Sequence, residues 1–196
     1  MDVTVIVGTY GDDHWRDLGA ATAAAHEAIH VHGDTLAGAR NTGAQAATTE
    51  WLVFLDADDS LSPGYCDAIL AADGDLRAPA LHLIYPDKVV VPDLAGRDMN
   101  RMNACPIGTG IRRQLLLECG GFWEEPAFED YSLFRRAWLI GAVISHVPDA
   151  VYQAHVRAGS RNNSVDDPAA LVKSIKASHA MWLDDRGRHA KDKVRS

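Results

Sequence analysis

The chain has 196 residues, a net charge of −8 and 47% hydrophobic residues, which suits one compact domain with a full core. The acidic balance argues against nucleic-acid binding, which requires a basic face. No apolar run is long enough to cross a bilayer, and the first strand is expected to begin almost at Met1. We therefore expect no signal peptide and a soluble, cytoplasmic protein. Three cysteines without metal-type spacing are expected to be reduced and mostly buried.

Short apolar runs alternate with helical segments through the first half of the chain. Strands are predicted at residues 3–7, 29–32 and 51–56. Helices are predicted from about Trp15 to Glu27, from about Leu36 to Ala47, and after Ser62, a predicted N-cap followed by Pro63 at the first helical position. This alternation predicts a mainly parallel α/β sheet flanked by helices.

The second half alternates less regularly, and a small antiparallel addition is expected after Val89. Two strands are predicted at residues 80–86 and 88–93, and two short ones within residues 143–156. Helices are predicted before the pair Gly120-Gly121, from Glu129 onward, and at 168–183. The polar, locally basic tail is interpreted as a solvated, frayed end.

Three carboxylates follow an apolar run in the segment FLDADDSL, residues 54–61. In a parallel sheet, ligands bind outside the carboxyl ends of the strands. If the chain stays extended, Asp56 and Asp58 lie on one side, where they suit a divalent cation that keeps water and phosphate ligands. An Asp-x-Asp pattern alone is weak, because Asp is common in turns and N-caps; Asp59 is interpreted as such a turn or helix-start residue.

Four segments in order resemble the family 2 glycosyltransferases of the GT-A fold. They are VTVIVGTY at 3–10, LAGARNTGAQAATTEWLVFLDADDSLSP at 36–63, GTGIRRQLLLECGGFWEEPAFEDYSLFRRAW at 108–138, and VYQAHVRAGSRN at 151–162. The resemblance covers residues 3–163. It implies one GT-A catalytic domain at 1–165, with a nucleotide-binding half at about 1–60 and an acceptor half at about 61–165. A C-terminal helix and basic tail at 166–196 lie outside it.

The resemblance also implies a nucleotide-diphosphate sugar donor, for which a UDP-sugar is the leading expectation, and a divalent cation, Mn²⁺ or Mg²⁺. Asp58 would ligate the metal, with the late His155 as a further contact. The residues implied to bind the nucleotide sugar are Thr9, Tyr10, Asp34, Arg40, Asp56, Arg157 and Ser160. Either Asp34 replaces the acidic turn that contacts the base in longer relatives, or that contact is lost. Arg40 would reach the base or a phosphate, and Tyr10 would stack on the base; a surface arginine and a packing tyrosine are the alternatives.

Glu129 and Asp130 begin a helix with an apolar face, a position that the helix dipole also favours for acids. The resemblance implies that Asp130 is the general base of a single, inverting displacement and that Glu129 supports it. Trp123 and Glu124 would contact the acceptor, although Trp123 would equally suit a packing role. The short stretch between residues 93 and 102 suggests a large acceptor that brings its own surface: a protein, glycan or polymer.

Two other classes fit parts of the pattern. A metal-dependent nucleotidyltransferase or sugar-nucleotide hydrolase would need a phosphate-binding glycine loop, and the sequence has neither a P-loop nor a GxGxxG motif. A non-catalytic nucleotide-sugar or glycan-binding module would keep Asp58 but would not need Glu129 and Asp130.

Overall fold

The computed structural model describes residues 2–11, 27–156 and 165–194, with side chains described up to residue 187. Within these ranges the strands are β1 (Val3–Tyr10), β2 (Glu27–Gly33), β3 (Trp51–Asp56), β4 (Ser60–Leu61), β5 (Leu76–Ile84), β6 (Val89–Val90), β7 (Gly110–Arg112) and β8 (Ile144–His155). The helices are α1 (Leu36–Ala46), α2 (Tyr65–Ala71), α3 (Arg113–Glu118), α4 (Glu129–Leu139) and α5 (Pro168–Val194).

The strands form one sheet in the order β2-β1-β3-β7-β5-β8-β4, with β6 added to β5. The long pairings, β1 with β2 and β3 and β5 with β8, are parallel. The short pairings that involve β4, β6 or β7 are antiparallel. Because β7 is antiparallel to both β3 and β5, the five long strands all end at the same edge of the sheet. The predicted α/β fold with an antiparallel addition is confirmed.

The centre of the sheet is apolar because β1 and β3 are covered on both faces. Val5, Ile6, Leu52, Val53 and Phe54 are all fully buried, as expected for parallel strands between helices. Helix α1 approaches β1 closely at one point. A Cβ on Gly43 would lie 2.4 Å from Cγ2 of Ile6, so only glycine allows this contact. The close packing holds α1 directly against β1.

Most predicted elements are confirmed, and the differences have local causes. The third strand and the start of the second helix match the prediction, whereas Glu27, the predicted helix end, is the first residue of β2. The rest of the predicted helix at 15–27 lies outside the described residues. Ser62 is not an N-cap: α2 begins after Gly64, which is left-handed at φ 73°, while the Ser62 hydroxyl accepts a hydrogen bond from the amide of Val151.

The two short strands expected within residues 143–156 are one strand of 12 residues, β8. Its register against β5 shifts between Pro79 and Ala80, so the turn signal at Pro148-Asp149 produces a bulge rather than a break. The last helix extends beyond its predicted end. Among the helices of the described ranges, none combines the length and the apolar character that crossing a bilayer requires. All three cysteines are free and buried.

Candidate functional site

The carboxyl ends of β2, β1 and β3 lie side by side. The sheet register aligns Tyr10 with Gly33 and Gly8 with Asp56. The turn after β3 therefore begins next to the end of β1, and Asp34 follows the end of β2. The parallel β5–β8 pair aligns Ile84 with His155 and ends at the same edge. This is the edge where an α/β sheet binds ligands.

Arg40 of α1 joins the end of β3 to the start of α4. Its Nη2 donates to Oδ1 of Asp56 at 2.5 Å, and its Nη1 donates to Oε1 of Glu129 at 2.9 Å. The side chain is only 3% exposed. Burial alone would lower its pKa, but Asp56 and Glu129 raise it above the ordinary value. Arg40 was expected to reach a base or phosphate; it lies instead beneath the site and compensates two carboxylates.

The next residue, Asn41, connects α1 to the segment that follows α3. Its Nδ2 donates to the carbonyl of Phe122, and its Oδ1 accepts from the amide of the same residue, both at 2.8 Å. Gly121 has φ 69°, and a Cβ there would lie 2.5 Å from Oδ1 of Asn41. Asn41 therefore binds the Gly120-Gly121-Phe122 segment to α1, and the absence of a side chain at Gly121 makes room for its amide.

Asp59 ties the acidic turn to the end of β8. Its Oδ2 accepts from the hydroxyl of Tyr152 and its Oδ1 accepts from the amide of His155, both at 2.8 Å. The Tyr152 hydroxyl in turn accepts from the amide of Asp56 at 3.1 Å. Burial, followed by the charge on Asp56, raises the pKa of Asp59 to about 8. Asp59 lies in a turn, since its amide donates to the carbonyl of Asp56. Its buried carboxyl also connects this turn to β8.

Asp58 is half-buried and His155 is exposed. Among the described side chains, no group of three His, Cys, Asp or Glu residues is arranged to hold a metal ion. The turn offers three carboxylates from a short segment of chain, of which Asp56 is paired with Arg40 and Asp59 is bonded to Tyr152. Such a donor set fits an ion that takes most of its ligands from water and substrate phosphates, and does not fit an all-protein cage.

Helix α4 begins with an unusual backbone. Phe128, which precedes it, is left-handed at φ 61°, a conformation that costs a bulky residue about 1–3 kcal/mol and is found mostly at functional sites. Asp130 is half-buried and accepts from Nδ2 of Asn103 at 2.9 Å. Burial, and then the neighbouring Glu129, raise its pKa to about 6. A carboxylate with a pKa close to neutral is suited to general-base catalysis.

A pocket of about 180 Å³ lies beside this helix start. Its lining brings together residues from four predicted positions, Tyr10, Asp34, Glu124 and Glu129, with Glu125 from the same loop. Tyr10 is 40% exposed, so its ring is available to a ligand. At the pocket, Oε1 of Glu124 accepts from the Thr35 hydroxyl at 2.6 Å, and Thr35 caps α1.

Other predicted site residues lie elsewhere. Thr9 is buried, and its hydroxyl bonds Nδ1 of His32 at 3.0 Å. Trp123 packs: it makes edge contacts with His179 and Trp182 of α5, and the Arg136 guanidinium lies 3.9 Å from its ring centre. These contacts agree with the packing role that was the alternative to acceptor binding for Trp123. Arg157 and Ser160 lie outside the described residues.

The sequence reasoning missed several residues that hold the site together. They are Asn41, Asn103, Tyr152 and His179. Asn41 stands inside the Ala-Arg-Asn segment that was singled out, so its neighbours offered a signal. Asn103 and Tyr152 act through contacts with residues 27 and 93 positions away, and no local pattern marks such partners.

Residues 26–116 match the glycosyl transferase family 2 profile. EpsH of Bacillus subtilis (strain 168), a protein assigned to the glycosyltransferases, is 40% identical over 47 residues, which cover 24% of this chain and 14% of EpsH. The resemblance to family 2 is confirmed over the matched residues.

Solved structures show the same fold. S. aureus TarS residues 1–349 in complex with UDP-GlcNAc is similar with a TM-score of 0.64 and 17% identity, over 92% of this chain and 66% of the TarS chain. GalNAc-T7 with UDP, GalNAc and Mn²⁺ is similar with a TM-score of 0.59 and 12% identity, over 81% of this chain and 44% of the other. The GT-A fold is confirmed. The chain spans just under two thirds of the TarS chain and a small part of EpsH.

Proposed function

We propose that this chain is an inverting glycosyltransferase that moves a sugar from a UDP-sugar to an acceptor hydroxyl, with Asp130 as the general base. The premise is the family 2 match over residues 26–116 together with the GT-A fold. TarS and GalNAc-T7, the structural neighbours, were solved with UDP-GlcNAc or with UDP, which supports a uridine nucleotide as the first donor to test.

The observation that carries the proposal is the double ion pair of Arg40. It connects Asp56, at the start of the acidic turn, to Glu129, at the start of α4. Two carboxylate clusters that are 73 positions apart in the sequence, from 56 to 129, are thereby held at one edge of the sheet. A transferase needs this proximity, since one cluster must face the leaving diphosphate while the other receives the acceptor's proton.

Asp130 suits the proton-accepting step. The acceptor oxygen attacks the anomeric carbon as the bond from that carbon to the diphosphate oxygen breaks, and the hydroxyl proton passes to the Asp130 carboxylate. Attack opposite the leaving group inverts the anomeric configuration. Asn103 orients the carboxylate through its 2.9 Å hydrogen bond, and Arg40 holds Glu129 in place beside it.

The negative charge of the site argues for a divalent cation. Asp58 and the Arg40-paired Asp56 would repel a diphosphate unless a cation lay between them. Asp58 would hold the ion, with His155 close by because its amide bonds the neighbouring Asp59. When bound, a Mn²⁺ or Mg²⁺ ion would neutralise charge on the departing diphosphate.

The pocket beside α4 suits the rest of the donor. Tyr10 presents an exposed ring on which a base can stack, and Asp34 can accept hydrogen bonds from a base or ribose. Glu124 is distant from Tyr10 and Asp34 in the sequence but lines the same pocket. We propose that it contacts sugar or acceptor hydroxyls.

The acceptor is proposed to be large, either a protein side chain, a glycan or a polymer end. Within the described ranges, the segment between β6 and β7 is short, residues 91–109, which supports an acceptor that brings its own surface. Efficient transfer to free monosaccharides in an acceptor screen would overturn this part of the proposal and leave the donor site untouched.

A donor panel tests the proposed function. Release of the nucleotide product would be measured from UDP-, GDP-, dTDP- and CMP-sugars with Mn²⁺, with Mg²⁺ and with EDTA. We expect UDP release that requires the metal and is lost in Asp58→Ala. Full activity of Asp58→Ala in EDTA would remove the metal mechanism. Binding of a nucleotide sugar without turnover under any acceptor condition would favour a non-catalytic binding module.

A further inference from the structure

The C-terminal helix α5 lies outside the segments that resemble the family, yet it packs against Trp123, next to the pocket residue Glu124. His179 of α5 is fully buried against α4. Its ring makes an edge contact with Trp123, the residue before Glu124. Trp182, one turn further along α5, contacts the same indole. The helix therefore supports the segment that carries Glu124 and Glu125.

A chain of hydrogen bonds runs from α5 to the pocket, and its direction can be assigned. Nη1 of Arg135 lies 2.9 Å from Nδ1 of His179. A guanidinium can only donate, so Nδ1 accepts and Nε2 carries the proton. Nε2 then donates to the Ser132 hydroxyl at 3.1 Å. The Ser132 hydroxyl donates to Oε1 of Glu125 at 3.1 Å.

This chain ends at a pocket residue. Glu125 lines the same pocket as Tyr10 and Glu129. The imidazole stays neutral, because burial, followed by the charges of Arg136 and Arg135, lowers the pKa of His179 to about 3. A neutral ring with one donor and one acceptor keeps the chain in a single direction at physiological pH. Arg136 also stabilises the segment before Glu125, because its Nη2 donates to the carbonyl of Gly121 at 2.8 Å.

We propose that His179 is a positioning residue of the pocket: through Ser132 it fixes the carboxylate of Glu125, which receives hydroxyl groups of the sugar being transferred. The C-terminal helix is then a part of the substrate site rather than a separate appendage. This inference rests on the proposed transferase function for the identity of the ligand, and on the contacts alone for the positioning itself.

Two substitutions at His179 separate positioning from simple packing. In His179→Gln the amide nitrogen replaces Nε2 and can still donate to Ser132. In His179→Asn the amide oxygen replaces Nδ1 and can still accept from Arg135, but the shorter side chain cannot reach Ser132. Ser132→Ala breaks the chain in its middle. Ser178→Ala is the control, because Ser178 is exposed and bonds only its own helix, at the carbonyl of Ser174.

Steady-state UDP release from UDP-GlcNAc would be measured well below the unfolding temperature of every variant. We expect Ser132→Ala and His179→Asn to raise KM about tenfold with kcat changed less than threefold, as expected when a hydrogen bond that orients a charged group is lost. His179→Gln and Ser178→Ala should keep KM within twofold. Unchanged KM in Ser132→Ala, or a larger rise in His179→Gln than in His179→Asn, would overturn the proposal.

Amide hydrogen exchange of residues 122–127 provides a readout that does not depend on activity. Exchange should accelerate in Ser132→Ala and His179→Asn but not in the other two variants. If the wild-type protein releases no UDP from any donor while this exchange pattern is observed, the proposed function fails and the positioning role stands. If exchange is the same in all four variants, the positioning role fails whatever the donor panel shows.

Discussion

The acidic turn after β3 and the acidic start of α4 both hold neighbouring carboxylates, but they stabilise them through different contacts. Each holds carboxylates close together, and in each Arg40 compensates one of them, Asp56 or Glu129. In each, a second carboxyl has a raised pKa, about 8 for Asp59 and about 6 for Asp130. Asp59, however, is buried and takes both of its donors from β8, at Tyr152 and the amide of His155. Asp130 is half-buried and accepts from Asn103 and from the amide of Tyr131, the next residue of its own helix.

The difference shows which carboxyl is available for chemistry. The buried carboxyl of Asp59 takes both donors from another strand and serves to connect the turn to β8. The half-buried carboxyl of Asp130, with a pKa close to neutral, can accept a proton and release it. Similar clusters of charge thus give one structural and one proposed catalytic residue, and the distinction depends on access and partners rather than on residue type.

The largest expected effect comes from removing the proposed base. Asp130→Asn should lower kcat for transfer by about 10²–10⁴-fold, because an amide cannot take the acceptor's proton. UDP binding by calorimetry should not change. Asp67→Asn is the control, since Asp67 is also an acid in the first turn of a helix but is exposed on α2. Equal activity of the two variants would contradict the assignment of Asp130.

The next largest effect is expected at Arg40, whose guanidinium pairs with a carboxylate of each cluster. Arg40→Met should lower the free energy of unfolding by about 3–5 kcal/mol, because Asp56 and Glu129 would be left as uncompensated charges. Urea denaturation would measure the loss. The triple variant Arg40→Met, Asp56→Asn, Glu129→Gln should recover part of the stability. If the triple variant is no more stable than Arg40→Met, the compensation by Arg40 is not the source of the loss.

The connecting role of Asp59 gives a smaller effect. Tyr152→Phe should lower the free energy of unfolding by about 1–3 kcal/mol, because Asp59 and the amide of Asp56 each lose a partner. Tyr65→Phe removes a comparable buried hydroxyl, which donates to the carbonyl of Gly108 and not to a carboxylate of the acidic turn. Both variants should lose stability, but only Tyr152→Phe should weaken the Mn²⁺ dependence of UDP release. Identical metal dependence in both would argue against the connection.

The smallest expected effect is on pH dependence. Since the pKa of Asp130 is about 6 and the base must be ionised, kcat/KM should fall as the pH drops below about 6 and level off above it. Asn103→Ala removes a donor to the carboxylate and should move this acid limb to higher pH. Gln114→Ala is the control, because its amide bonds an exposed carboxylate, Glu118, at 3.1 Å. An acid limb that is unmoved in Asn103→Ala would separate Asn103 from the base.

The strands and the acidic positions were accessible to sequence reasoning because their signals are local. The run at residues 51–55 is apolar, and the acidic turn follows it from Asp56. The boundary of α2 was missed because Gly64 adopts a left-handed conformation, so Pro63 stays outside the helix. The bulge in β8 depends on pairing with β5 and not on the sequence of β8 alone.

The partners of the site residues were less accessible. Arg40 was singled out, but its place beneath the site depends on two carboxylates that are 16 and 89 positions away. His179 belongs to a helix that the family resemblance did not reach, and only the packing of α5 on α4 brings it to Ser132. Side-chain networks of this kind are properties of the tertiary structure, so local patterns do not reveal them.

An experimental structure with UDP and Mn²⁺ tests the central claim most directly. We predict that the ion lies within ligand distance of Asp58 and the diphosphate, that the uracil lies beside Tyr10 and Asp34, and that Asp130 faces the open side of the pocket. UDP bound away from the carboxyl ends of β1 and β3, or an ion held without Asp58, would contradict the account.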